Sequence, residues 1–153
     1  MDLRFTVFAI VAKPPGTVFD AIADPDQLSR YFTTGGAKGW IVPGATVMWD
    51  FHDFPGAFPV EVVEAVPSER IVLRWQANDP GAPQPYQTTV TMTFAPVEGD
   101  PGRTRVEITE EGWRESAEGL DASYGNCMGW SQMLAALKVW LEHGINLRDG
   151  MYA

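Results

Sequence analysis

The stretch DASYGNCMGWSQMLAALKVWLEH (121–143) decides how the rest of the chain must be arranged. At about 100° per residue, Trp130, Met133, Leu134, Leu137, Trp140 and Leu141 fall on one face of a helix. Gln132, Ala135, Val139, Glu142 and His143 lie opposite, with Ser131 and Lys138 on a flank. Burying those apolar side chains contributes on the order of 10–18 kcal/mol gross, before entropy is subtracted. So one-sided a helix requires a large apolar partner surface. Toward its start the inward positions become Cys127, Asn126 and Ser123, small or polar. A core stripe stays bulky to fill space, so this change of character predicts a cavity at that end; the plainer alternative is a fraying first turn with hydrogen-bonded polar residues. Gly144 marks the helix end, with Lys138 and His143 near the negative pole of its dipole. Gly125 and Gly129 each cost about 1 kcal/mol relative to Ala and predict close approach of another backbone.

The partner surface lies upstream. FTVFAIVA (5–12) reads as a strand, which Lys13-Pro14-Pro15-Gly16 breaks. A short helix follows with Val18, Phe19 and Ile22 on one face. Asp24 then caps a second, Pro25 holds its first position, and Leu28, Tyr31 and Phe32 share its inner side. The connector TTGGAKGWIVPG (33–44) lacks the GxxxxGK[ST] spacing of a phosphate loop and reads as a plain loop. Beyond it, strands are expected at 47–51, 59–66, 71–76, 88–94 and 104–110, with loops at 52–59 (HDFPGAFP) and 78–85 (NDPGAPQP). Strands joined by short turns form an antiparallel meander with one wet face, here carrying Arg74, Thr89, Thr91, Thr93, Arg105 and Glu107. The 121–143 helix is the one large element left to cover the other face.

A chain of 153 residues is expected to form one domain with a real core, and 45% hydrophobic residues argue against disorder. A net charge of −9 with only 11 Lys and Arg disfavours nucleic acid and anionic membrane as partners. The single Cys127 excludes an internal disulfide and a thiolate metal cluster within one chain. With only His52 and His143, far apart, and no HExxH, no metal or other cofactor is expected. MDLRFTVFAIVA reads as structure rather than a signal peptide, and no apolar run spans a membrane. A cytoplasmic setting is the expectation.

The order strand, two short helices, antiparallel strands, long helix resembles the START-like helix-grip fold, an α+β architecture. PPGTVFDAIADPDQLSRYF (14–32), PGATVMWDF (43–51), VVEAVPSERIVLRW (62–75), TTVTMTF (88–94), GRTRVEITEEGW (102–113) and GWSQMLAALKVWLE (129–142) carry the likeness further. On them the chain is identified as a member of the family named for the activator of the heat-shock protein 90 ATPase, within the START-like superfamily. The resemblance implies an antiparallel sheet wrapped around the last helix with a cavity between them. It implies activities ranging from binding lipids, hormones or polyketides, through cyclising or hydrolysing ligands, to activating a chaperone in stress response.

Strand parity places Val106, Ile108 and Glu110 on one face. Glu110 then points inward near its strand end, toward Trp113 and the polar start of the helix, with Tyr124 and Asn126 as candidate partners. An interior carboxylate can anchor a ligand or exchange a proton. Trp49, Phe51, Trp75, Met92 and Phe94 are expected to line the apolar wall, joined by Cys127, Trp130 and Met133 from the helix. Cys127 reads as a small buried apolar residue; GWSQM around Ser131 is not GxSxG, and no catalytic residue is assigned. The expected function is binding of a small hydrophobic or amphipathic molecule, more in keeping with a binding protein than an enzyme. The alternatives are an interaction module for a heat-shock protein 90 type chaperone, and a cyclase or hydrolase using Glu110.

Overall fold

Alternating side chains build most of the protein. The structure, a computed structural model, describes residues 2–153. In chain order its elements are β1 (Arg4–Val11), α1 (Pro15–Ala23), α2 (Pro25–Leu28), β2 (Gly36–Lys38), β3 (Thr46–Phe51) and β4 (Phe54–Val66). β5 (Arg70–Gln76), β6 (Gln87–Val97), β7 (Asp100–Glu111) and α3 (Ala117–His143) follow. The strands form one antiparallel sheet in the order β1-β7-β6-β5-β4-β3-β2. The chain is therefore a meander from β2 to β7, closed at one edge by β1. Register keeps the period-2 pattern in step: Leu73 faces Val90, and Met92 faces Ile108, all buried. Thr91 and Arg74 take the opposite face. That is the expected wet side.

The two short helices start where proline allows. Pro15 opens α1, whose Val18, Phe19 and Ile22 are buried. Asp24 caps α2 by accepting a bond from the Asp26 N–H at 2.9 Å. Tyr31 and Phe32, just past α2, are buried too, and the Tyr31 hydroxyl donates to the Ala21 carbonyl at 2.9 Å. Burial holds that phenol well above its ordinary pKa.

Several boundaries differ from the sequence expectation: α2 ends at Leu28, before Tyr31 and Phe32, β6 runs on to Val97, and β7 begins at Asp100 rather than Thr104. The Gly-rich connector contains β2, a strand too short for any periodicity to register, which pairs Ala37 with Trp49 at the sheet edge. The expected loop at 52–59 is mostly strand, because β4 begins at Phe54 and Phe58 pairs with Trp49. Its prolines are tolerated because β5 pairs only with Glu61 to Val66, which leaves this part of β4 one strand neighbour. Finally, α3 begins at Ala117 rather than Asp121. Ser116 supplies the cap, its hydroxyl accepting the Gly119 N–H at 3.0 Å.

The inner stripe of α3 is as expected at its centre: Trp130, Met133, Leu134 and Leu137 are buried, together with Ala136. Trp140 and Leu141, expected in the core, are half-buried and pack on its margin. The helix also shields the outer edge of β1. Lys138 donates its ammonium to the Ile10 carbonyl at 2.6 Å, and Glu142 accepts from Lys138 at 2.7 Å and from the Ala12 N–H at 3.3 Å. An i, i+4 ion pair thus satisfies backbone groups that an open edge would leave exposed. The close backbone approach expected at Gly125 and Gly129 is not found: a methyl group at either would meet nothing within 4 Å. The crowded glycine is Gly119, where a Cβ would lie 1.9 Å from the Arg114 carbonyl oxygen.

Candidate functional site

Glu110 is fully buried between the sheet and α3, as its parity with Val106 and Ile108 requires. Four side chains converge on its carboxylate. Trp75, on β5, donates its indole N–H to Oε2 at 2.9 Å, and the Thr88 hydroxyl, on β6, donates to the same oxygen at 2.6 Å. From α3, Trp130 donates to Oε1 at 2.8 Å, and Asn126 places its amide nitrogen 3.0 Å from both oxygens. Asn126 and Trp130 are four apart on the helix and so share a face. Indole N–H groups can only donate; a carboxylate is the acceptor-only group that such a set calls for. Every donor is neutral. Among the described residues, no ion pair reaches Glu110.

Aromatic rings fill the space beside this cluster. Trp130 packs on Trp75 with centroids 5.4 Å apart and on Phe32 at 5.6 Å. Trp49 meets Trp75 edge-on at 5.9 Å. Phe58 lies 5.8 Å from Trp75 and stacks on Phe51 at the β3–β4 turn. Trp75, Phe51, Phe58, Asn126 and Cys127 are all half-buried, so the group reaches the surface between that turn and α3. The C-terminal segment closes over the same turn: Arg148, buried, bonds Asp53 at 2.9 Å and lies over the Phe51 and Tyr152 rings. Tyr152 in turn hydrogen-bonds Gln132 of α3. Burial alone would push the Asp53 carboxyl up, but the hydrogen bond and charge of Arg148 bring it below its ordinary range.

The twelve residues singled out from sequence separate into four groups. Glu110, Trp75, Asn126 and Trp130 are in direct contact, with Trp49 and Phe51 in the adjoining aromatic wall. Met92, Phe94 and Met133 are buried in the main core; Phe94, four residues along from Val90, packs edge-on against Phe19. Cys127 is half-buried at the rim rather than fully enclosed. Two belong elsewhere. Tyr124 is largely exposed, because two residues from Asn126 is about 200° around the helix. Trp113 stacks on Phe5 in a separate cluster with Leu3 and Ala77. The turn at Gly112, with φ +106°, leads it away from the Glu110 face.

Thr88, Phe32 and Phe58 were not among the expected site residues. For Thr88 the signal was present: it shares parity with Val90. Nothing in the local pattern points to Arg148. Where the sequence predicts a cavity, the Trp75, Trp130, Phe32 and Phe58 rings pack beside Glu110. Two surface hollows, of about 340 and about 310 Å³, lie elsewhere. The first is on the outer sheet face by Glu61, Arg74 and Gln87; the second lies by Leu3, Ser116 and Leu120. Neither is lined by the Glu110 cluster. His52, exposed, is hydrogen-bonded to Thr34. Among the described residues no group of acidic, His and Cys side chains could hold a metal ion, and no helix is long and apolar enough to cross a membrane.

An open antiparallel sheet that grips one long C-terminal helix, with two short helices after the first strand, defines a START-like helix-grip protein. The family model described as "Activator of Hsp90 ATPase homolog 1-like protein" matches residues 12–142, and the chain belongs to that family. No curated protein matches it. Solved structures do. Protein SSP2350 from Staphylococcus saprophyticus is 23% identical, with 95% of this chain and 96% of that one covered at a TM-score of 0.76. Protein MLL2253 from Mesorhizobium loti is 18% identical, with 94% and 99% covered at 0.77. The Aha1 dimer from Colwellia psychrerythraea, solved in solution, is 22% identical, with 93% and 98% covered at 0.74. At such identities the likeness shows the fold alone.

Proposed function

We propose that the protein binds a small amphipathic molecule between the sheet and α3, with Glu110 as its polar anchor and the neighbouring rings as its apolar wall. The observation that carries this reading is Glu110 itself. A carboxylate with no exposure, no ion-pair partner among the described residues and a shell of indoles is costly to bury. Packing that end of α3 with Leu or Met, as at Met133 and Leu137, would fill the space more simply. Few convergent polar groups set in an aromatic wall are the ordinary composition of a ligand site. Because the rings now occupy the interior, entry requires Phe51 and Phe58 to swing outward with the β3–β4 turn. The Arg148–Asp53 bond is the contact that such a motion must break.

The donors around Glu110 also bear on catalysis. Oε2 receives bonds from Trp75, Thr88 and Asn126, and Oε1 from Trp130 and Asn126. These bonds fix the carboxylate in one orientation between the sheet and α3, which supports binding over the cyclase or hydrolase alternative. Native mass spectrometry and thermal shift across a panel of lipids, aromatics and polyketides test the reading. A binder that raises the melting temperature and changes the Trp75 and Trp130 signals is expected. A panel without any binder would remove it.

The family description favours a second reading, in which the exterior engages a heat-shock protein 90 type chaperone in a cytoplasmic stress response. It predicts faster ATP turnover by that chaperone when the protein is added. No change at high micromolar concentration dismisses it.

A further inference from the structure

We infer that the Glu110 site takes an organic monocation, a primary ammonium or amidinium on an aromatic or short alkyl body; this rests on the ligand-binding reading above. Three observations point to the class. Glu110 carries a buried charge that Trp75, Thr88, Asn126 and Trp130 solvate but cannot neutralise. The one donor that bridges both carboxylate oxygens is the Asn126 amide nitrogen, 3.0 Å from each. That is the position a single ammonium takes at a carboxylate fork, and Asn126 stands half-buried at the rim, where an incoming group can displace it. The wall beside the fork is built from Trp49, Trp75 and Trp130, an apolar lining that suits the aromatic or short alkyl body of such a cation. A ligand carboxylate would meet Glu110 as a like charge, and a neutral ligand would leave the buried charge uncompensated. The indoles of Trp75 and Trp130 and the Thr88 hydroxyl remain bound and fix the orientation of Glu110, while the cation replaces the Asn126 amide.

The test uses the full chain and three probes of one shape: 4-phenylbutylamine, 4-phenylbutanol and 4-phenylbutanoate. Isothermal titration gives the affinities, and the indole N–H resonances of Trp75 and Trp130 report the place of binding. The amine is expected to bind at least tenfold more tightly than the alcohol, to move both indole resonances, and to leave the acid without measurable binding. Glu110→Gln should weaken the amine at least tenfold and abolish its advantage over the alcohol. Asn126→Ala, which removes the competing donor and does not depend on Glu110→Gln folding, should tighten the amine several-fold. Alcohol or acid binding as tightly as the amine, with the same indole shifts, overturns the cation assignment and leaves the ligand-binding reading standing. An amine unaffected by either substitution overturns it as well. If none of the three probes moves the indoles at millimolar concentration, the assignment falls, and the wider panel decides the ligand-binding reading separately.

Discussion

Glu110 and Asp79 are both carboxylates shut away from water, and the protein treats them in opposite ways. Asp79 receives Arg114 through two guanidinium nitrogens, at 3.2 and 3.1 Å, and the Tyr86 hydroxyl at 2.8 Å. The Arg114 backbone N–H then donates to that same hydroxyl at 3.1 Å. The set closes on itself, charge included, and fastens the 78–85 loop to the link between β7 and α3. A forked Arg–carboxylate pair is an efficient clamp. Glu110 receives more hydrogen bonds but no cation, and its donors come from two strands and one helix. One site is complete as it stands; the other is satisfied in its hydrogen bonds and unbalanced in its charge. That difference is what supports reading one as a fastening and proposing the other as a ligand site.

The contrast breaks first at Glu110. Replacing it with Ala orphans the Trp75, Thr88 and Trp130 donors in the interior and opens a void. The expected loss is about 3–5 kcal/mol, read as a lowered urea midpoint. Glu110→Gln keeps the volume but turns an amide N–H₂ toward donors, and should lie between Ala and the native chain. A Glu110→Ala protein as stable as the native one would mean that the four donors find other partners, and the cluster would lose its claim to be a built site.

At the other carboxylate the expected changes are smaller and depend on pH. The hydrogen bonds of Arg114 first, then of Tyr86, hold the Asp79 carboxyl below its ordinary range. The unfolded chain therefore takes up a proton at a higher pH than the folded one does. This contribution is fully present above the ordinary carboxyl pKa, about 3.9, and is lost as pH falls through the depressed folded value. Glu142, held low chiefly by Lys138, adds to the same acid limb. Asp79→Asn should flatten part of that limb in urea midpoints measured from pH 6 to pH 3, and quicken protease cleavage in 78–85. An unchanged acid limb would show that Arg114 gives the folded state no advantage. Close by, Gly119→Ala pushes a methyl into the Arg114 carbonyl and should cost about 1–3 kcal/mol, seen as a lower melting temperature.

How far each site is legible in the sequence follows from how local its signal is. Parity along β7 turns Glu110 inward, and the helical period turns Asn126 and Trp130 toward it; both are readings over a few residues. The same parity would have included Thr88. Asp79 and Arg114 lie 35 positions apart, and Asp53 and Arg148 lie 95 apart. Neither pair has a periodic signature, because only the closed sheet and the docked C-terminal segment bring them together. The long strands and α3 stand out for the same reason that β2 does not: three residues at a sheet edge repeat nothing. Tyr124 is a different kind of miss, since the period that favours Asn126 already places Tyr124 outside.

The smallest expected effect sharpens the comparison at the helix itself. Gly125 and Gly129 flank the segment that carries Asn126 and precede Trp130, in helical backbone where neither is needed for space. Alanine at either position should stabilise the folded protein by about 0.5–1 kcal/mol, through a less flexible unfolded chain and a better helix former. Urea unfolding of the single variants measures this. Two residues that cost stability, leave open space where a side chain would stand and border the donors of Glu110 make the first half of α3 easier to distort than its Leu134–Leu137 half. If that ease serves entry to the site, the double variant will be the more stable protein and will also take up 4-phenylbutylamine more slowly in stopped-flow tryptophan fluorescence. A double variant with unchanged uptake would place the yielding element in the β3–β4 turn alone.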